Sequence, residues 1–176
     1  MKQPTAIAGG LVRLRLLNQD DLPMTLAWRN RDEVRRWFRQ SAVIDMAQHT
    51  AWFHQQQLTD DALMFIVEDT AKGGAVGQVS VYNIDRETGE AEVGRFIAAP
   101  NASGKGFIRA AILALTHFAF EELSLARLYL EVFANNERAI RLYTSVGFVV
   151  VEDAAKAGEP MVPMVYMVLM EMKKPQ

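Results

Sequence analysis

The chain has 176 residues, half of them hydrophobic and 23% charged, with a formal net charge of −2. That length suits one domain with a real core, and the lack of a basic excess argues against wholesale nucleic-acid binding. Without cysteine there is no disulfide framework, thiolate metal site or cysteine nucleophile, and His49, His54 and His117 are too scattered for a metal cluster. No apolar run approaches a membrane span, and residues 1–10 lack the long apolar core of a signal peptide, so a cytoplasmic protein without a membrane partner is expected.

Met1 to Gly10 reads as a loose tail, and residues 11–176 as one domain. Leu11 to Leu17 alternates and predicts a strand. Asn18 or Asp20 can cap the helix that follows, with Pro23 tolerated in its first turn. A second helical segment is expected over Asp32 to Phe38. Asp45 starts another helix, on which Met46, His49, Phe53 and Gln56 share a face. Ala62 to Glu68, Val76 to Ile84 and Glu90 to Ala98 are strands joined by turns at Lys72-Gly73-Gly74 and Thr88-Gly89, an antiparallel meander.

Beyond Ala98 the chain turns through Pro100-Asn101-Ala102-Ser103-Gly104-Lys105-Gly106 into a helix with Ile108, Ile112, Leu115 and Ala119 on one stripe. Leu128 to Phe133 is the next strand, so strand, helix and strand make a parallel crossover. Asn135 or Asn136 caps a further helix that ends near Gly147. Phe148 to Val151 begins a strand, Ala154 to Pro160 is a loop, and Val162 to Met172 holds the last strand, with Pro163 at an edge or bulge. The fold class is α+β: a mixed, mainly antiparallel sheet with helices on both faces. The small-residue turn at Ser103–Gly106 suits a pyrophosphate, because a helix N-terminus presents free N–H groups and a positive dipole end.

Two stretches together carry a resemblance. Gly104-Lys105-Gly106-Phe107-Ile108 lies between strand and helix. About thirty residues later comes Asn136-Glu137-Arg138-Ala139-Ile140-Arg141-Leu142-Tyr143-Thr144-Ser145-Val146-Gly147-Phe148. In this order and spacing they resemble the GNAT superfamily of acyl-CoA N-acyltransferases, and the resemblance covers nearly the whole chain. The N-terminal half looks most like the bacterial nucleotide-amino-sugar N-acetyltransferases of the pseudaminic-acid type, through Trp28-Arg29-Asn30, Val34-Arg35, Trp37-Phe38, His49 with Trp52-Phe53, and Glu131-Val132-Phe133. The superfamily loop usually reads Gln/Arg-x-x-Gly-x-Gly/Ala. Aligned on Gly106, this chain departs from it with Ser103 at the first position and bulky Ile108 at the last.

The resemblance implies acetyl-CoA as co-substrate and a splayed central strand pair. Ile97 and Ala98 would hold the pantetheine through their backbone. Amides of Ser103, Gly104, Lys105, Gly106, Ile108 and Arg109 would hold the pyrophosphate, and Asn136 would anchor the cofactor from the far side. Tyr143 would be the acid that protonates the leaving thiolate, since a phenol of pKa about 10 keeps its proton at neutral pH. Glu92 and Glu131 are the candidate bases, with Ser80, Tyr82 and His49 as relays through water. Arg29, Arg35, His49 and Ser80 are the candidate acceptor contacts, beside Trp28, Trp37 and Trp52. A nucleotide-linked amino sugar, such as a UDP-amino sugar, offers a base to stack and a diphosphate to pair with arginine.

Two other readings stay open: an acetyltransferase of ribosomal-protein N-termini, and an acyl-CoA-binding module without turnover. A homodimer through the exposed sheet edge is a further implication of the superfamily.

Overall fold

The computed structural model describes residues 6–151 and 164–170. An eight-stranded sheet runs in the order β1-β2-β3-β4-β5-β6-β8-β7. The strands are β1 (Ile7–Gly9), β2 (Val12–Leu16), β3 (Leu63–Asp69), β4 (Ala75–Asp85), β5 (Glu90–Ala98), β6 (Arg127–Phe133), β7 (Val149–Val150) and β8 (Met164–Met170). The helices are α1 (Leu22–Arg29), α2 (Asp32–Arg35), α3 (Met46–Gln57), α4 (Phe107–Glu121) and α5 (Glu137–Ser145), with a 3-10 turn at Gln19–Asp21 before α1. Every neighbouring pair is antiparallel except β5 with β6. The expected α+β class, the meander and the crossover are all present.

Both faces of the sheet are covered, and β3 shows it directly. Leu63, Met64, Phe65, Ile66 and Val67 are buried in succession, which alternation toward a single core would not produce. On one face α4 lays Ala111, Ile112, Leu115 and Ala119 against Phe65, Val79, Val81 and Val93, and Phe65 meets Phe118 edge-on at 6.0 Å. On the other face α1 and α3 bring Leu22 and Phe53 against Leu17, Met64 and Ile66.

Side-chain caps set the helix starts. Asn18 and Asp45 each form a capping box, with Asp21 and Gln48 as the returning side chains. Asn136 accepts from the Ala139 amide at the start of α5. Arg15 bridges Asp21 at 2.7 Å and Glu68 at 2.8 Å, which ties the entry of α1 to β3.

Four expectations are corrected. The tail was read to Gly10, but Ile7–Gly9 pair with Val12–Leu14 as an edge strand. The second helix stops at Arg35 instead of Phe38. Further on, the carbonyls of Gln40, Ser41, Ala42 and Ile44 are bound by side chains. Arg29 donates to the Gln40 and Ala42 carbonyls, Arg35 to Ser41 and Asn30 to Ile44. These side-chain partners satisfy the loop's backbone groups without a helix. Met46 does not join the buried face of α3, where only His49 and Phe53 are buried. The strand expected over 148–151 is confined to Val149–Val150. The expected loop at 154–160 and Pro163 lie outside the described residues.

Candidate active site

The parallel pair β5–β6 opens into a splay. Its register joins Glu90, Ala91 and Glu92 to Arg127, Leu128 and Tyr129, and then pairing stops. From Val93 to Ala98 strand β5 remains paired with β4 on its other side, down to Gly77 opposite Ala98. One backbone edge of β5 is therefore open toward β6, the arrangement that an extended ligand can join by main-chain hydrogen bonds.

The turn after β5 leads to a helix start that fits an anion. Gly106 caps α4 with φ +81° and has no side chain to offer. Among the described residues the amides of Phe107, Ile108 and Arg109 have no acceptor, so they point outward with the positive end of the dipole. Gly104 also has a positive φ, and a Cβ there would meet open space.

Bulky Ile108 does not obstruct this turn. A Cβ built on Gly77 would lie 2.7 Å from Ile108 Cδ1 and 2.6 Å from the Ile97 carbonyl, so the isoleucine is folded inward over that glycine. Ser103 Oγ accepts from Arg138 Nη2 at 2.6 Å, which brings a guanidinium from α5 to the position where the superfamily loop carries Gln or Arg. Arg109 turns its side chain away to Ser145, donating to the carbonyl at 3.2 Å. Its amide alone remains directed at the turn. Lys105 borders a cleft of about 430 Å³ between Asp69 and Lys72 of the β3–β4 connection and Ala99 and Ala102 of the turn after β5.

Tyr143 sits on α5, its ring 5.6 Å from Phe96 of β5 and 6.4 Å from Phe148. Burial pushes its phenol up from the ordinary value, so it is fully protonated at neutral pH. No hydrogen bond to another described residue engages its hydroxyl, which leaves it able to donate. Asn136 uses its Oδ1 on the Ala139 amide at 3.3 Å, so its side-chain oxygen serves α5 as a cap.

The proposed bases already have partners. Glu92 accepts from Tyr82 Oη at 2.9 Å and from Asn83 Nδ2 at 2.9 Å. Glu131 is ion-paired to Arg39. That pair, with Trp37 tilted against Phe133 at 6.4 Å, carries the loop after α2 across to β6. Ser80 is fully buried, and its hydroxyl has no partner among the described residues. A buried hydroxyl normally finds one, so this is an unmet polar atom inside the β4–β5 region of the sheet. Beside it, burial and then the Glu92 charge raise the Tyr82 phenol.

His49 is buried on α3, stacked on Trp52 at 5.2 Å, with Nε2 2.9 Å from Thr25 Oγ1. Burial first, and the Arg29 charge second, hold its pKa below the ordinary value. The Thr25 hydroxyl lies within reach of the Asp21 and Leu22 carbonyls, so its proton goes there and His49 Nε2 is the N–H donor.

Arg29 and Arg35, read from the sequence as acceptor contacts, are instead engaged in holding the 40–42 loop. Trp28 is buried against Ile97, Ala99 and Ala102. Two residues were missed. Arg31 donates to the Ala98 carbonyl, at the strand end where pantetheine is expected. Arg95, on β5, adopts φ +55° and lies 4.1 Å over the Tyr82 ring and 5.3 Å from Trp52. The one available signal was Gly94, a glycine inside a strand, which marks a bulge; the β4–β5 register does shift between Gln78 and Ser80.

Among the described residues no group of His, Asp and Glu could hold a metal ion, and no helix is long and apolar enough to cross a membrane.

Comparison with known proteins places this geometry. Residues 12–149 match the family described as acetyltransferase (GNAT) domain. The spermidine N(1)-acetyltransferase of Escherichia coli K12 is 34% identical over 143 residues, 78% of this chain and 72% of that protein. The acetyltransferase PseH of Campylobacter jejuni is 26% identical over 137 residues, 78% of this chain and 82% of that one. The crystal structure of spermidine N-acetyltransferase from Vibrio cholerae in complex with CoA and spermine superposes with a TM-score of 0.80 at 24% identity. It covers 91% of this chain and 95% of its own. Splay, glycine turn and family match agree: the chain belongs to the GNAT acetyltransferase family and is an acetyl-CoA-dependent N-acetyltransferase.

Proposed function

We propose that the protein acetylates the primary amine of a small molecule that carries anionic charge away from its nitrogen, a nucleotide-linked amino sugar being the chemistry of that kind. Acetyl-CoA supplies the thioester. The open edge of β5 at Ile97 and Ala98 holds its pantetheine, and the amides of Ser103 to Arg109 hold its pyrophosphate. Tyr143 gives its proton to the departing thiolate. The amine arrives on the β4–β5 face beside Ser80, Tyr82 and Glu92 and loses its proton through water along these groups. Such a path is enough for an amine of modest pKa. Neutralising one of pKa near 8 at pH 7 costs about 1.4 kcal/mol, against about 4.6 kcal/mol for an alkyl amine near 10.4.

The observation that carries the acceptor reading is charge. Between Trp28 and Gln40 stand Arg29, Arg31, Arg35, Arg36 and Arg39 against Asp32 and Glu33. Arg31, Arg35 and Arg39 are ion-paired to Glu33, Asp32 and Glu131, whereas Arg29 donates only to the neutral carbonyls of Gln40 and Ala42, which satisfies its N–H groups and leaves its charge in place, so the five arginines still outnumber the three carboxylates. A field of this sign attracts a phosphate-bearing acceptor and repels a polycation.

A second reading, a polyamine acceptor, is supported by the spermidine acetyltransferases among the relatives. Acetyl-CoA-dependent thiol release with mass analysis of products separates the two, using a UDP-linked 4-amino sugar and spermidine as acceptors. Acetylated sugar nucleotide supports the first reading, and acetylspermidine without it the second. In either case Tyr143→Phe should lower kcat by about 10²-fold or more while CoA binding is retained. Unchanged turnover would remove Tyr143 as the acid.

A further inference from the structure

Arg95 is the residue on this face whose placement the fold does not require. It is a non-glycine residue at φ +55°, a region that a bulky L side chain enters only at a cost. The β-bulge needs a residue there, but glycine would serve at less strain. What the arginine adds is a guanidinium held between the Tyr82 ring on β4 and the Trp52 ring on α3.

The guanidinium is also under-used. Nη1 donates to Gln56 Oε1 at 3.0 Å and lies 3.9 Å from Met64 Sδ. No carboxylate among the described residues lies within ion-pair distance of it. Glu92 acts only at longer range, with its two oxygens bound by Tyr82 and Asn83. A partly buried cation with five N–H donors and one strong acceptor carries unmet charge and unmet hydrogen bonds. The unpartnered Ser80 hydroxyl belongs to the same stretch of sheet. Ser80 pairs with Gly94, the residue before Arg95, and Met64 pairs with Ser80.

We propose that Arg95 forms an anion subsite of the acceptor pocket, which binds a phosphate or carboxylate oxygen of the acceptor and sets the enzyme's preference for anionic over polycationic amines. Arginine is suited to this, because its planar fork meets such oxygens with two parallel bonds while its faces stay stacked on the aromatic rings. Trp52 and Gln56 keep the fork from rotating. The stack on His49 extends the support to Thr25 and α1. A cationic amine chain entering here meets the guanidinium directly, so the same residue acts against polyamines. This rests on the acetyltransferase reading above and narrows its acceptor.

The test compares wild type with Arg95→Gln, Arg95→Lys and Arg95→Gly. Two readouts are used: binding of UDP followed by tryptophan fluorescence, and the ratio of kcat/KM for the UDP-linked 4-amino sugar to that for spermidine. CoA affinity reports that each variant is folded. Arg95→Gln should weaken UDP binding and lower the ratio by at least about tenfold, the size of one lost charge-assisted hydrogen bond. Arg95→Lys should restore part of both, since it keeps the charge and loses the fork. Arg95→Gly relieves the backbone while losing the same discrimination.

An unchanged ratio and unchanged UDP binding in a folded Arg95→Gln enzyme would overturn the subsite and leave Arg95 as a tie between α3 and β5. So would a wild type that prefers spermidine. If the wild type acetylates neither acceptor, the acceptor reading itself has failed. The UDP titration then still decides whether Arg95 binds an anion.

Discussion

The two faces of the sheet are built from different material. Under α4 the contacts are apolar: Phe65, Val79, Val93, Ile112, Leu115 and Phe118 meet with no charged group among them. Under α1 and α3 the buried residues include Asp21, Thr25, Arg29, His49 and Ser80. The first face needs only volume and complementarity to hold. The second is a polar network, costly wherever a member lacks a partner. The glycine turn proposed to hold acetyl-CoA stands at the end of the apolar layer, where α4 begins. The groups proposed to meet the acceptor stand in the polar layer. In the proposed reading one face anchors the fold and the cofactor, and the other receives the acceptor at some expense of stability.

Truncation on the apolar face should separate these roles most sharply. Leu115 is fully buried, and Leu115→Ala should cost about 2–5 kcal/mol of unfolding free energy. Urea denaturation measures it. Below its transition the variant should keep the wild-type KM for the amine, because Leu115 touches no polar group of the site. A shifted acceptor KM would mean that the two faces are coupled.

A smaller effect of opposite kind is expected from Arg29→Ala. It frees the Gln40 and Ala42 carbonyls at a segment close to solvent, so stability should fall by about 1–3 kcal/mol. The loop that Arg29 holds also carries Trp37 and Arg39 to β6. The KM for the acceptor should therefore rise several-fold while the KM for acetyl-CoA stays. Arg29→Lys should not rescue it, since an ammonium is a point donor and cannot span two carbonyls as the fork does.

The same contrast explains what was legible in the sequence. The apolar face is periodic: Ile112, Leu115 and Ala119 declare α4, and alternation declares β4. The glycine turn and the Tyr143 stretch are contiguous, so their order and spacing were enough to reveal the family. The polar face is assembled from residues distant in sequence. Arg31 meets Ala98, and Arg39 meets Glu131, 92 residues away. No period or local spacing encodes such pairs. Arg29 and Arg35 looked like ligand contacts because a free arginine and one bound to a nearby carbonyl have the same sequence. Arg95 was invisible because alternation assumes an even pleat, and the bulge after Gly94 breaks it.

The gentlest probe of the polar face is a proton. His49 is buried, with a pKa below its ordinary value because burial and then the Arg29 charge disfavour the imidazolium. In the unfolded chain it titrates near about 6.5. Between that value and its lower folded-state value the unfolded chain binds more protons. Stability is therefore fully present above about pH 6.5 and is lost as pH falls below it, by at most about 1.4 kcal/mol per pH unit from this one group. Against the opposing effect of burial, Arg15 holds Asp21 below the usual carboxylate range, and Arg13 and then Arg15 hold Glu68 there; both act in the same direction but only once pH approaches about 4. The urea midpoint should thus fall as pH drops below about 6.5 in the wild type. His49→Gln, which keeps a donor for Thr25 Oγ1 and cannot titrate, should flatten that segment. A slope that persists in His49→Gln would place the acid-sensitive group elsewhere and remove the protonic contrast between the two faces.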